Sequence, residues 1–370
     1  MLTVEGPRAV AEATPMGDAG DLRWVEPDEE GLERVRRGRT FFYRDENRRT
    51  VRDEATIARI RRLAIPPAWT AVWICTDERG HIQATGRDAR GRKQYRYHAQ
   101  WQALRGQNKF DHLIEVAAAL PRIRSRVQAT LASSDSTPTR EHVLAALVRL
   151  LDTTWLRVGN DEYARTNATY GLSTLRDRHA AVRGATLKLS FVGKGGVRHE
   201  ARVDDRRVAR VVRRCQELPG QTLFQYVDEE GQLRRVGSTD VNAWLAEHGR
   251  SAITAKDFRT WHGSVQALEL TLAACADGAE PVNAQHVLAQ VARRLGNTVA
   301  VCRKAYVHPG VLALGERLVD DAVRASLRQQ SWVTKPPARR GLGLHERQLL
   351  GLLRAARRGR AKTRRHPRNA

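Results

Sequence analysis

Thr186-Leu-Lys-Leu-Ser-Phe-Val-Gly-Lys-Gly-Gly-Val-Arg-His-Glu-Ala-Arg-Val203 reads as two strands, 186–192 and 197–203, joined by the turn Gly193-Lys-Gly-Gly196. On either side the apolar period is that of helices. Upstream, 141–155 places Val143, Leu144, Leu147, Leu150 and Leu151 on one face, with Thr137 and Pro138 as N-cap and first helical residue. Downstream, helices are expected over 204–217, 238–248, 255–276 and 282–295. Gly296 closes the last, and a short segment from Thr298 reaches Tyr306. This half therefore predicts a mainly α-helical domain interrupted by a short antiparallel sheet.

Closer to the N-terminus the pattern changes. Between Trp24 and about His98 it is strand-like, at 40–43, 71–76 and 81–85, with Asp77-Glu-Arg-Gly80 as a hairpin turn. A helix over 54–63 stops before Pro66-Pro67. From Trp101 the helical period takes over, which sets a border near Gly106. The fold class expected is α+β. A disordered stretch, 1–20, precedes a small β-rich domain, 21–105, and a larger mainly helical domain, 106–332. A basic tail, 333–370, begins around Pro336-Pro337 and is expected to be solvated or to order only on a polyanion.

Charge narrows the partners. Sixty-four Lys and Arg against 41 Asp and Glu give +23 over 370 residues. Such an excess favours a polyanion, either nucleic acid or an anionic membrane surface. The segment from Lys335 onward holds twelve of the basic residues and one acid, Glu346, so about half the excess lies on the body. A GC-rich genome explains arginine over lysine, but not the surplus over acids. No run approaches the ~20 apolar residues of a membrane span, and the N-terminus has no basic region followed by an apolar one. A cytoplasmic protein is expected. Cys75, Cys215, Cys275 and Cys302 form no paired motif and the twelve histidines no ligand set, so neither a disulfide framework nor a metal site is expected.

Four features carry chemistry, each beside a plainer reading. Counting back by sevens through Leu150 and Val143 puts Arg157 on an apolar helix face. There it is either paired with a carboxylate such as Asp152 or Glu162, or clamps an anion with its planar fork. Lys194 is one of only eight lysines against 56 arginines. A lysine can give up a proton where an arginine cannot, although a solvated turn lysine looks the same in sequence. Lys256-Asp-Phe-Arg-Thr-Trp261 sets two cations in a helical first turn, which suits a bound anion or a solvated basic turn above a Phe258/Trp261 core. Tyr306, with Arg303 and Lys304 beside it to lower its phenol pKa, is either a packing residue or a nucleophile. Taken together, two arginines, a lysine and a tyrosine describe phosphoryl transfer through positioned cations.

The order of these motifs resembles the poxvirus and bacterial type IB topoisomerases. The stretches that carry it are Leu63-Ala-Ile-Pro-Pro-Ala-Trp69, Gly80-His-Ile-Gln-Ala-Thr-Gly86, Gly91-Arg-Lys-Gln-Tyr-Arg-Tyr-His98, Arg157-Val-Gly159, Phe191-Val-Gly-Lys194, Lys256-Asp-Phe-Arg-Thr-Trp261 and Arg303-Lys-Ala-Tyr306. They run in family order from about residue 22 to 332. The resemblance implies the catalytic fold shared by tyrosine recombinases and type IB topoisomerases over 106–332. It makes Tyr306 the nucleophile that joins a 3′-phosphate, Arg157 and Arg259 the transition-state arginines and Lys194 the general acid. Asn297 stands where poxvirus members carry histidine, and its amide can still donate a hydrogen bond. Gln94, Tyr95 and Tyr97 match positions that touch DNA, and Arg92, Lys93, Lys256, Arg303 and Lys304 are further candidates for DNA contact. A half-exposed edge strand would account for 92–97 equally well.

The activity implied is relaxation of supercoiled double-stranded DNA in the bacterial nucleoid, by a monomer that closes as a clamp and needs no cofactor, metal or ATP. A tyrosine recombinase is the nearest rival, but such enzymes carry H-x-x-R where Lys256 precedes Arg259, and here the N-terminal half is strand-rich. A non-catalytic DNA-binding protein is the other, and the intact Tyr306, Arg157, Arg259 and Lys194 argue against it. The basic tail has no counterpart in the resemblance. Sequence-neutral phosphate binding is expected of it, so deleting 335–370 would weaken DNA affinity without abolishing cleavage.

Overall fold

The computed structural model describes residues 22–89, 91–133, 137–275, 283–317 and 320–365, without the side chains of 103, 105–108, 162–163 and 360–365. The expected disorder over 1–20 lies outside the described residues. The chain divides into two compact units between Lys109 and Phe110.

The first unit is an antiparallel sheet of five strands among the described residues, in the order β2-β1-β3-β4-β5. They are β1 (Gly31–Arg37), β2 (Thr40–Arg44), β3 (Thr70–Cys75), β4 (Ile82–Arg87) and β5 (Lys93–Tyr97), with α1 (Glu54–Arg62) between β2 and β3. Asp77–Gly80 is the turn between β3 and β4, as its residues suggest. Asp53 caps α1 by accepting from Thr56 N, and Leu32, Ile60, Val72, Ile74 and Ala84 pack its helix against the sheet.

Within α2 (Ala99–Asp111) the chain passes into the second unit. There α3 (Leu113–Ala132) and α4 (Arg140–Thr154) lead to α5 (Asp161–Asn167) and a three-stranded sheet of β6 (Ala180–Arg183), β7 (Thr186–Val192) and β8 (Arg198–Asp204). The chain continues through α6 (Arg206–Gln216), the small pair β9 (Gln225–Val227) and β10 (Leu233–Arg235), and α7 (Ser238–Gly249). Then follow α8 (Ala255–Ala273), α9 (Ala284–Leu295), α10 (Val299–Ala305), α11 (Pro309–Arg317), α12 (Asp321–Arg328), α13 (Ser331–Thr334) and α14 (Leu344–Arg365). Helix α4 runs through the middle: Val143–Val148, Leu150 and Leu151 are buried, so it is apolar all round and packs against α3, α6, α7 and α8. Its N-cap is Thr139, not Thr137. The Thr139 hydroxyl accepts from His142 N, and Pro138 stays outside the helix.

Two expectations need correcting. Arg157 is not on the apolar face of α4, because the helix ends at Thr154 and Trp155 turns away in the left-handed region (φ 61°, ψ 18°). Over its described residues, 333–365, the basic segment is not a solvated tail. Most of the stretch is α14, and Leu342, Leu349, Leu350 and Leu353 sit in the main core of the second unit. Arginines dominate the composition of this stretch, yet the leucine spacing within it is that of an amphipathic helix. Among the described residues no helix is long and apolar enough to cross a membrane.

Candidate active site

The second unit holds a cleft of about 420 Å³ whose lining includes Arg157, Lys194, Lys256, Arg259 and Tyr306. They arrive on four pieces of the fold, Lys256 and Arg259 sharing one. Beyond α4, Trp155 stacks on His262 (centroids 5.2 Å apart) and lies beneath the Arg294 guanidinium at 4.0 Å. These contacts hold a strained conformation for a bulky residue and aim Arg157, two residues later, into the cleft. Lys194 sits on the tip of the β7–β8 hairpin, where Gly195 and Gly196 take positive φ of 81° and 78°. Lys256 and Arg259 lie on the first turns of α8. The cation in that turn is offset by Asp257, whose carboxylate accepts from Thr254 N as a capping group.

Arg259 is the most buried of them, 3% exposed. Its guanidinium donates to the Trp155 carbonyl and, at 2.7 Å, to the Leu295 carbonyl. Burial and the nearby Arg157 push its pKa down, but arginine starts so far above neutrality that the charge stays. The same guanidinium sits 5.0 Å from the centre of the Tyr306 ring. For the Tyr306 phenol, burial works against ionisation. Arg259, through charge and a hydrogen bond, and then Arg157 and Lys256 outweigh it and hold the phenol below the ordinary tyrosine value. Arg303 and Lys304, the sequence neighbours expected to do this, are exposed, and Arg303 faces Glu316 at 3.7 Å.

Among the described residues Arg157 forms no carboxylate pair. Asp152 is held by Arg124 and His262; the Glu162 side chain lies outside the described residues. Arg157 Nη2 donates to Asn297 Oδ1 at 2.5 Å instead. Only the amide oxygen can accept, so this bond fixes the flip and leaves Asn297 Nδ2 as a donor. Three buried donors in this group have no acceptor among the described residues: Arg157 Nη1, Arg259 Nε and Asn297 Nδ2. Buried N–H groups are seldom left so. Arg157 and Arg259 line the cleft with Tyr306, and Asn297 is tied to Arg157, so the group suits an anion with several oxygens, such as a phosphodiester.

Comparison with known proteins agrees with this chemistry. Residues 98–315, more than half of the chain, match the family model of the eukaryotic DNA topoisomerase I catalytic core, and residues 40–88 match that of the bacterial DNA topoisomerase IB N-terminal domain. DNA topoisomerase 1B of Acanthamoeba polyphaga mimivirus is 31% identical over 292 residues, covering 75% of this chain and 85% of the relative. The chain belongs to the type IB DNA topoisomerase family. Vaccinia virus DNA topoisomerase 1B is also similar, 28% identical over 116 residues, which is 31% of this chain and 36% of the viral one.

Parts of the topoisomerase that no motif announced hold Tyr306 in place. Gly263 lies one helical turn after Arg259 on α8, and a Cβ there would stand 2.8 Å from the Tyr306 carbonyl oxygen. Ser264 Oγ donates to that carbonyl at 3.2 Å and accepts from His308 N at 3.0 Å. One helix thus docks the Tyr306 backbone and sets Arg259 against its ring. Gly263→Ala should gain a little helix propensity, yet it must push backbone, which cannot yield cheaply. We expect DNA cleavage to slow by about 10- to 100-fold and the melting temperature to fall by only a few degrees. Single-turnover cleavage and thermal unfolding measured side by side check this, and a wild-type cleavage rate would contradict it.

In the first unit of the topoisomerase, β5 is an edge strand. Tyr95 and Tyr97 stack on one face, 5.8 Å apart, with Lys93 5.6 Å from the Tyr95 ring. Gln94 points the other way and donates to Asp88 at 2.9 Å, while Arg92 pairs with the same carboxylate at 2.7 Å. The eight candidate DNA contacts therefore do not form one surface within their own units. Lys93, Tyr95 and Tyr97 share a face. Lys256 is in the cleft, and Arg303 and Lys304 are on the exposed side of α10.

Proposed function

We propose that Tyr306 attacks a DNA phosphodiester in this cleft and forms a 3′-phosphotyrosyl link. The phenol gives up its proton to solvent, the P–O5′ bond breaks, and a proton on Lys194 Nζ passes to the 5′-oxygen as it leaves. Arg157, Arg259 and Asn297 donate hydrogen bonds to the non-bridging oxygens, whose negative charge grows at the pentacoordinate stage. The freed strand rotates as torsion is released, and its 5′-hydroxyl then attacks the phosphotyrosine to reseal. Because the link retains the energy of the original diester, the cycle calls for no ATP. The cations supply the charge stabilisation that phosphoryl transfer elsewhere takes from metal. This reading is carried by Arg157 Nη1 and Arg259 Nε in the Tyr306 cleft and Nδ2 of the Arg157-bound Asn297, buried donors that lack an acceptor among the described residues.

For binding, we propose a monomer whose two units close on duplex DNA as a clamp. Lys93, Tyr95 and Tyr97 face it from the first unit, with Gln94 and Arg92 bracing their strand through Asp88. Lys256, Arg303 and Lys304 meet phosphates from the second. A substrate of chromosomal DNA sets the place of action at the bacterial nucleoid. Peptide mapping of the covalent adduct, trapped on a nicked duplex that loses its 5′ fragment, should find the nucleotide on Tyr306. A link through serine, or no adduct at all, would overturn the assignment.

A further inference from the structure

His199 stands on β8, five residues after Lys194, and has none of the roles above. Its ring lies where two glycines make room for it. A Cβ on Gly193 would be 2.5 Å from His199 Cδ2 and 2.8 Å from Nε2; one on Gly296 would press on Cε1 more closely still. Real Cβ atoms essentially never come within 3.0 Å of another heavy atom, so an ordinary residue at either place would displace the imidazole. Gly193 directly precedes Lys194, and Gly296 directly precedes Asn297. One flat ring is thus wedged between the residues that lead into the proposed proton donor and the proposed phosphate-binding amide.

The two glycines carry unequal weight. Gly296 has φ +59° and closes α9, so glycine is favoured there in any case. Gly193 has an ordinary extended backbone (φ −99°, ψ −169°), which any residue adopts. Nothing about its conformation asks for glycine; the His199 ring does. The Phe191 ring stacks on the imidazole at 5.4 Å and fixes its plane from the neighbouring strand, where Phe191 is paired with His199. Burial, followed by the charges of Arg157 and Arg259, keeps the imidazole below its ordinary pKa, so the wedge adds no further cation to the cleft.

We propose that His199 is a positioning residue: its ring sets the height of the β7–β8 hairpin over the Asn297 loop and so places the Lys194 ammonium at the leaving 5′-oxygen. This rests on the general-acid reading of Lys194. A hairpin tip released from the wedge stays folded but lets Lys194 wander, and a misplacement of about 1 Å costs on the order of 100-fold in rate.

The test uses the full chain and two otherwise identical duplexes, one with the natural 5′-oxygen and one with sulfur bridging at the cleaved phosphate. Sulfur leaves as a thiolate and needs no proton, so a defect confined to proton delivery disappears on it. Single-turnover cleavage is read for wild type, Lys194→Ala, His199→Ala, Gly193→Ala and the double variant Gly193→Ala/His199→Ala, alongside DNA affinity. On oxygen, His199→Ala and Gly193→Ala are each expected to slow cleavage by about 10- to 100-fold with affinity unchanged. On sulfur, both should return to near the wild-type rate. The double variant should be no slower than His199→Ala, because the new methyl fills space the ring has left. Multiplied losses in the double variant would overturn the proposal. So would sulfur that restores Lys194→Ala but not His199→Ala. Sulfur that fails to restore Lys194→Ala would remove the general-acid reading itself, and this proposal with it.

Discussion

Arg259→Ala is expected to lower the rate of DNA cleavage by about 100- to 1,000-fold, the usual result of removing one preorganised donor from a charge-stabilising site. The loss should fall on the chemical step. Arg259 is buried and shaped by the protein: two of its donors are spent on the Trp155 and Leu295 carbonyls, while Nε has no acceptor among the described residues and the Tyr306 ring lies alongside. Its removal withdraws the proposed transition-state donor and the cation that does most to favour the Tyr306 phenolate. Arg259→Lys should rescue little, since a single ammonium cannot span both carbonyls and still face a phosphate. Rates of covalent adduct formation, set against DNA affinity from gel shifts, separate the two effects. A variant that cleaves normally but binds weakly would place Arg259 among the binding residues instead.

Deleting 338–370 is expected to cost the second unit its fold, not merely its grip on DNA. Leu349, Leu350 and Leu353 are buried in the main core. At ~1.5–3 kcal/mol for each fully buried leucine, they amount to a large share of a domain's typical ~5–15 kcal/mol. Glu346 adds a polar tie. It accepts from Trp261 Nε1 at 2.9 Å and from Arg124 Nη2 at 2.8 Å, and Arg124 in turn donates to Asp152 at 2.8 Å. His262 Nε2 bonds the same Asp152 at 2.9 Å and stacks on Trp155, whose carbonyl receives Arg259. Burial alone would raise the Asp152 and Glu346 carboxyls. Hydrogen bonds from His262 and Arg124 to Asp152, and from Arg124 to Glu346, outweigh it and hold both below their ordinary values. A route of direct contacts thus runs from the C-terminal helix to Arg259 in the cleft. The truncated chain should be insoluble or melt without a cooperative transition. Removing only 359–370 spares the leucines and Glu346, so that variant should fold, cleave and show a flatter salt dependence of DNA binding. A folded, active 338–370 deletion would refute the account of α14.

The residues proposed as catalytic were legible as a set because their motifs are local and their order survives in one dimension; Arg157, Lys194, Arg259 and Tyr306 do line one cleft. The hairpin was legible too: strand, glycine turn and strand differ in period from everything around them. The C-terminal helix was not. Twelve basic residues outweighed the leucine stripe in any reading by composition, and the packing that makes those leucines count comes from α3, α8 and α13. Arg157 was placed on a helix face by extrapolating a period past Thr154, since nothing local marks Trp155 as a left-handed cap. Gly263, Ser264 and His199 escaped for a related reason. Each matters through a neighbour tens of residues or more away, or through space that a side chain does not occupy.

The central claim is that Tyr306 and its ring of cations relax DNA by themselves. The most direct test is relaxation of supercoiled plasmid in EDTA without nucleotide, with wild type and Tyr306→Phe prepared identically. The account predicts full relaxation by wild type and none by Tyr306→Phe, whose missing hydroxyl removes the nucleophile while sparing the fold. Relaxation that survives the loss of the hydroxyl, or that stops in EDTA with wild type, would contradict it.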